Sequence, residues 1–371
     1  MKKIAIFHNY MDNIGGAELV SLILAKELGA DVYTTNIDEE KIRKMGFSAD
    51  NIFSIGKIPI NAPFRQERAY WKFRNLNLKN KYDFYIIAGD WAMSAAVHHK
   101  PNLWYVHSPT REIYDLKEYI RNNIVPSVYL GNLNKYIFDL WVFWHKFLNK
   151  KNIKYVEKIV CNSKNVQSRV KKYFGRNSEI IYPPVDIKKY YYKKNGSFWL
   201  SVNRLTAHKR VDLQIKTFSK IPEEKLVIVG SYENAGHFQA YAKYCKKIKP
   251  KNVEIKSWVD DKELIDLYSN CKGLVATSID EDYGMNAVEA MAAGKPVIAP
   301  NEGGYKETII NGKTGILIDN INENKLIEAV KKLGREIKKN PQKFRGDCQR
   351  QAEKFNADVF VKSIKSAIYS A

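Results

Sequence analysis

The chain has no run of about 18 consecutive apolar residues, so an ordinary transmembrane helix is not expected. Its opening, Met1–Phe7, is too short and too soon polar for a secretory signal, and it reads instead as a first buried strand. Cysteine is scarce. Cys161, Cys245, Cys271 and Cys348 lie far apart with no CxxC pair, so neither a zinc site nor a disulfide framework is expected. A reducing cytoplasm is the default compartment for such cysteines. Short-period repeats and low-complexity tracts are missing, and so is the GxGxxG fingerprint of dinucleotide binding. Acidic residues are also in short supply. Lys and Arg number 61 against 40 Asp and Glu, a formal net charge of +21. That field attracts polyanions, whether nucleic acid, an anionic membrane or phosphorylated substrates, without choosing among them. The excess is uneven: residues 1–200 carry 32 basic and 18 acidic side chains, and residues 151–200 alone carry 12 and 3.

What remains is ordinary globular composition, 45% hydrophobic and 27% charged over 371 residues, which is enough chain for two domains. Short apolar runs alternate with helix-period segments. In the first half the runs are Ile4–His8, Asp31–Tyr33, Phe84–Ala88, Leu103–Val106 and Ile159–Asn162. In the second half they are Phe198–Val202, Leu226–Val229, Val253–Ile255, Gly273–Thr277 and Val297–Ala299. Alternation of this kind predicts an α/β fold, two doubly wound Rossmann-like domains of parallel strands with helices on both faces. The turn-rich strip Tyr182-Pro183-Pro184-Val185-Asp186 and the polar, Tyr-rich stretch after it mark the boundary. We therefore expect domains over 1–190 and 196–354, with a final helix near 355–371 returning to the first. The aromatic segment Tyr136–Leu148 is too apolar all round for a surface helix and too short to span a bilayer. A buried helix and an interfacial one both fit it.

Four places carry candidate chemistry. Around Glu281–Gly294 a strand runs into a loop, and a helix is expected to begin near Met285. Gly284 permits a positive φ or a close backbone approach, and the helix N-terminus that follows suits phosphate oxygens. With Glu281 in the loop and Glu289 in the helix, both carboxylates can turn towards one polyol ligand; acids near a helix start also merely complement its dipole. The second place is Ser201–Arg210, where Arg204 and Lys209 offer a planar fork and a point charge suited to a pyrophosphate. A solvated basic loop is the plainer reading. The third is the Gly15-Gly16 turn between the first strand and its helix, and the fourth is Tyr105–Asp115, which holds His107, Arg111 and Asp115. Glycine is common in turns, and a histidine at a strand end is often structural.

Together these pieces resemble the retaining glycosyltransferases of family 4, which have the GT-B fold with two domains facing across a cleft. Glu281 to Glu289 looks like that family's E-x7-E element, and Glu289-Ala290-Met291-Ala292-Ala293-Gly294-Lys295-Pro296 is typical of its tail. Gly303-Gly304 and Glu307 continue the pattern. His107-x-Pro109-x-Arg111-x-x-x-Asp115, with Asn162-Ser163 and Tyr182–Asp186, is similar to a narrower subgroup of mannosyltransferases of O-antigen and surface-glycan assembly. Departures from that subgroup at Trp91, Ala95 and Asn149 bear on the acceptor and the donor sugar.

The resemblance implies a role for each matched residue. Glu289 would bind the nucleotide ribose, and Glu281 would hold donor-sugar hydroxyls, with Asp282, Tyr283, Gly284, Met285 and Asn286 lining the donor site. Arg204 and Lys209 would neutralise the departing diphosphate. Gly15 and Gly16 would sit near the phosphates, His107 near the anomeric centre, and Arg111 and Asp115 on the acceptor side. Trp258-Val259-Asp260 would lie beside the base. No metal or resident cofactor is implied; the nucleotide sugar is a co-substrate, with GDP-mannose favoured. Rival readings are a UDP-sugar donor, a protein or nucleic-acid acceptor, an epimerase of the same fold, a glycosidase, or a silent sugar-nucleotide-binding protein. A phosphate-linked lipid acceptor on an anionic inner leaflet would account for the basic first half, at about 1 kcal/mol per basic residue near the surface. The expected place is thus cytoplasmic and peripheral on the inner membrane face, with no nucleic acid bound and the oligomeric state open.

Overall fold

Apolar runs of two to seven residues form the strands of two all-parallel sheets in the computed structural model. The structure describes residues 2–13, 15–62, 64–123, 133–231, 236–257 and 259–369. The chain forms two compact units, one from Met1–Tyr182, Ala235–His237 and Val361–Ala371, the other from Pro183–Asn234 and Phe238–Phe360.

The first unit runs β1 (Ile4–Phe7), α1 (Gly16–Leu28), β2 (Asp31–Thr34), α2 (Glu39–Lys44), β3 (Ile52–Ser54), α3 (Phe64–Asn75), β4 (Phe84–Ile87) and β5 (Asn102–Val106). It continues with α4 (Lys117–Asn123), α5 (Leu133–Asn152), β6 (Lys158–Cys161), α6 (Lys164–Phe174) and β7 (Glu179–Ile180). The sheet order is β3-β2-β1-β4-β5-β6-β7. Strands β1, β4 and β5 are buried along their whole length, as expected of a sheet covered on both faces. Helix ends follow local chemistry: Ser163 accepts from Val166 N at 3.0 Å to start α6, and Gly175 in the left-handed region closes it.

The second unit runs β8 (Phe198–Arg204), α7 (Val211–Ser219), β9 (Lys225–Ser231), α8 (Gly236–Ile248), β10 (Val253–Lys256), α9 (Asp261–Asn270), β11 (Leu274–Val275) and α10 (Met285–Ala292). After β12 (Val297–Pro300), α11 (Tyr305–Thr308) and β13 (Gly315–Ile318) come α12 (Glu323–Lys339), α13 (Arg345–Glu353) and α14 (Ala357–Tyr369). Its sheet order is β10-β9-β8-β11-β12-β13. Helix α14 starts in the second unit and ends in the first, where Lys2 Nζ donates to Ile368 O at 3.1 Å and Lys158 Nζ to Ala367 O at 3.3 Å.

Three strands go beyond the sequence reading: β3, β7 and β13, of two to four residues each and at or near sheet edges. Conversely, the run expected over Gly273–Thr277 pairs only at Leu274–Val275. Thr277 has turned out of the ladder, with Oγ1 2.7 Å from Lys209 O. The aromatic segment also differs from a simple core helix. Val142, His145, Leu148, Asn149 and Asn152 are buried, whereas Tyr136, Ile137, Leu140, Phe143, Trp144 and Phe147 face solvent. All four cysteines are free and buried.

Candidate functional site

In the second unit, β8 and β11 are neighbours at the point where the winding reverses, and the loops leaving their carboxyl ends meet there. Arg204 ends β8 and Lys209 lies in the loop after it; the β11 loop carries Glu281 and Asp282. Adjacency of the two strands brings together residues more than 70 positions apart. Lys209 Nζ lies 2.6 Å from Glu281 Oε2, both side chains being largely shielded from water. The two groups expected to meet phosphate and sugar are thus ion-paired with each other.

Arg210, which no motif singled out, fixes both loops. Its backbone is left-handed at φ 50, and its guanidinium donates to Thr277 O, to Ser278 O at 3.0 Å and to Glu302 Oε1 at 3.0 Å. Glu302 in turn accepts from Asp280 N at 3.0 Å. Ile279 N donates to His208 O at 2.8 Å, a further tie between the loops.

The start of α10 is equally constrained. Gly284 is its N-cap at φ 86, and a Cβ there would come within 2.5 Å of the Tyr305 ring. No other residue fits without strain. Asn286 Nδ2 donates to Val202 O at 2.9 Å, which anchors the first turn to β8. Gly303-Gly304 packs against the loop from the other side: Gly304 N donates to Glu281 O at 2.7 Å, and Gly303 has φ 57 with the Glu281 backbone where a Cβ would be. The loop Glu281–Gly284 is thereby held against the Gly303-Gly304 turn, with the N–H groups of Met285 and Asn286 beyond it at a helix N-terminus.

Glu289 has different partners from Glu281. Tyr268 Oη donates to Glu289 Oε2 at 2.7 Å, and Tyr190 packs edge-on against Tyr268 at 5.5 Å. Burial pushes the Glu289 carboxyl above its ordinary range, which these hydroxyl donors partly oppose. Two tyrosines therefore orient the acid expected to bind ribose; the Tyr-rich boundary stretch was the only trace of Tyr190 in the sequence. Val259 is half-buried just before α9, whose N-cap is Asp260, accepting from Glu263 N at 2.8 Å. Trp258 lies outside the described residues.

The first unit holds the other expected residues. Gly15 is the N-cap of α1, and its N–H donates to Glu18 Oε2 at 2.8 Å. Glu18 is buried against His8, whose other ring nitrogen lies 3.0 Å from Ser21 Oγ. His107 follows β5; its carbonyl accepts from Asn162 Nδ2 at 2.8 Å, and its ring lies 6.5 Å from that of His8. Arg111 and Asp115 are brought together, with Nη2 2.7 Å from Oδ2, and Arg169 joins them at 3.5 Å. That triad is largely shielded from water. Sequence reasoning missed a nearby carboxyl pair. Asn9 Nδ2 donates to Asp90 Oδ1, and burial plus the Asp90 carboxylate push Glu112 up to about 7. Nothing in the spacing of Asp90 and Glu112 announces their proximity.

Residues 185–355 match the family Glycosyl transferases group 1. An uncharacterized glycosyltransferase of Methanocaldococcus jannaschii is 29% identical over 178 residues, 48% of this chain and 49% of that protein. An alpha-1,3/1,6-mannosyltransferase of Dictyostelium discoideum is 34% identical over 139 residues, 32% and 33% of the two chains. The chain thus spans about half or less of the length of these relatives. The crystal structure of the Anabaena protein HepE in complex with UDP-glucose superposes with a TM-score of 0.75 at 18% identity, covering 100% of both chains. The fold is the pair of Rossmann-like domains of the GT-B class.

Proposed function

We propose that this protein is a retaining glycosyltransferase that moves a hexose, mannose from GDP-mannose by preference, to a lipid-linked or oligosaccharide acceptor. The observation that carries the reading is the Lys209–Glu281 pair beside the N-terminus of α10. A cation, a carboxylate and a helix N-terminus at one strand-end crevice suit a ligand that joins a diphosphate to a polyol. The named mannosyltransferase among the relatives supports mannose.

In the proposed reaction an acceptor hydroxyl attacks the anomeric carbon on the face the diphosphate leaves. The anomeric carbon–oxygen bond to phosphate breaks as the new glycosidic bond forms, and the hydroxyl proton passes to a diphosphate oxygen. Entry and departure on one face retain the anomeric configuration. Negative charge grows on the leaving group, and Arg204, Lys209 and the α10 N-terminus are preorganised to meet it. The step is proposed to proceed without a metal ion. Glu281 takes sugar hydroxyls once Lys209 turns to phosphate, and Glu289 takes the ribose. His107 and the Gly15-Gly16 turn are proposed to serve the same reaction, on the sugar and the phosphates. The acceptor is proposed to reside at the cytoplasmic face of an anionic membrane.

A thermal-shift panel of nucleoside diphosphates and their sugars tests the donor. GDP and GDP-mannose should raise Tm most, with EDTA making no difference; a clear preference for UDP compounds would overturn the assignment. Nucleotide-sugar binding without release of nucleoside diphosphate, even with lipid-linked acceptor present, would overturn the transferase reading.

A further inference from the structure

We infer that the solvent face of α5 is a docking surface for an anionic lipid bilayer. Tyr136, Ile137, Leu140, Phe143, Trp144 and Phe147 are between 44% and 71% exposed. Their spacing of i, i+1, i+4, i+7, i+8 and i+11 puts all six on one side of a continuous helix. The opposite side packs into the first unit and carries the polar residues His145, Asn149 and Asn152. His145 Nε2 lies 2.8 Å from Glu67 Oε2, and Asn152 Nδ2 donates to Tyr70 Oη at 3.1 Å, so this side is fixed by specific bonds to α3. The helix cannot gain by rolling over. Its apolar face is outward because its inward face is already committed.

Helix α3 carries two further exposed aromatic side chains. Phe64 and Trp71, one face apart by seven residues, are 66% and 42% exposed. Trp71 Nε1 donates at 2.9 Å to Glu67, the same carboxyl that meets His145 on α5. Six large apolar side chains exposed on one helix face exceed the scattered singles of an ordinary surface.

The charges around this face choose its occupant. Lys150, Lys151 and Arg68 are exposed on the two helices, and Lys135 and Lys146 flank the apolar stripe. The one acid in α5, Asp139, is already held by Lys117 at 3.1 Å and Arg121 at 2.8 Å. A second copy meeting this same face would set like charges against one another, because basic side chains outnumber Asp139 and Glu67 there. Lipid phosphates supply the missing sign, and Trp, Tyr and Lys are the residues that sit well at headgroup depth. Because no described helix is long and apolar enough to cross a membrane, the contact is one of lying on the surface.

The inference stands apart from the transferase reading, since vesicles free of donor and acceptor test it. The full chain is sedimented with phosphatidylcholine vesicles, with and without phosphatidylglycerol, at low and high salt. Binding should require the anionic lipid, weaken with salt, and fall by about tenfold or more in L140S/F143S/F147S at unchanged Tm. K150Q/K151Q should weaken binding and flatten its salt dependence. On the unmodified chain, brominated lipid should quench tryptophan emission, and W144F should lose part of that quenching. Equal binding to neutral vesicles, no binding, or no quenching would overturn the inference. So would light scattering that shows a dimer which the triple variant converts to monomer.

Discussion

Lys209 Nζ and Glu281 Oε2 stand 2.6 Å apart, so the cation and the carboxylate of the candidate donor site neutralise each other. A nucleotide sugar must compete with that pair. Replacing Lys209 with Ala should weaken nucleoside diphosphate binding about tenfold to a hundredfold, the range of a hydrogen bond to a charged group. Glu281→Gln frees the ammonium, so diphosphate affinity should hold or rise while sugar turnover falls. Calorimetry with nucleoside diphosphate alone, beside turnover of the sugar nucleotide, separates the two.

Gly284 offers a purely structural test. Its φ of 86 and the Tyr305 ring 2.5 Å from a would-be Cβ act together. Gly284→Ala should lower stability by about 1–3 kcal/mol, read as a fall in denaturation midpoint. Trimming Tyr305 to Ala in the same chain relieves the clash but not the left-handed strain, so Gly284→Ala should still cost stability in that background.

Glu112 predicts a pH dependence. Burial and Asp90 lift its carboxyl from an ordinary 4.5 to about 7. The folded chain keeps a proton that the unfolded chain releases, so this group's contribution is intact below the ordinary value. It is lost progressively as pH rises towards 7, and is flat above. Glu112→Gln should therefore raise Tm at about pH 8 and change it little at about pH 4.5. An equal gain at both would mean that the carboxyl does not titrate as described.

The triad of Arg111, Asp115 and Arg169 separates structure from acceptor binding. Asp115→Ala leaves two shielded guanidinium groups without this carboxylate and should destabilise by about 3 kcal/mol, as for breaking a buried pair from one side. Arg111→Met with Asp115→Leu should recover part of that loss. If stability is unchanged while acceptor turnover falls, the triad belongs to the acceptor site instead.

Much of this was legible because the relevant physics is local. Four-residue apolar runs such as Phe84–Ile87 are buried on both faces and stand out by composition. The start of α10 was readable from Gly284 and the run after it. The rest depends on contacts between distant segments. Arg210 meets Glu302 only because β8, β11 and β12 are neighbours, and Glu289 meets Tyr268 across α9 and α10. Strand β3 has one buried residue of three, too little pattern to notice. The exposure of α5 was undecidable from its apolarity. It follows from the polar bonds on the other side.

The last helix carries a consequence for synthesis. Lys2 and Lys158 reach the carbonyls of Ile368 and Ala367, so the first unit is finished by residues made long after its own strands. At ordinary translation speeds, about 5–20 residues per second, the delay between Tyr182 and Val361 is roughly ten to forty seconds. During that interval the nascent first unit lacks its closing helix while already exposing the aromatic face of α5. Of the two units, the one whose strands are written first is thus also the one that waits for the later helix.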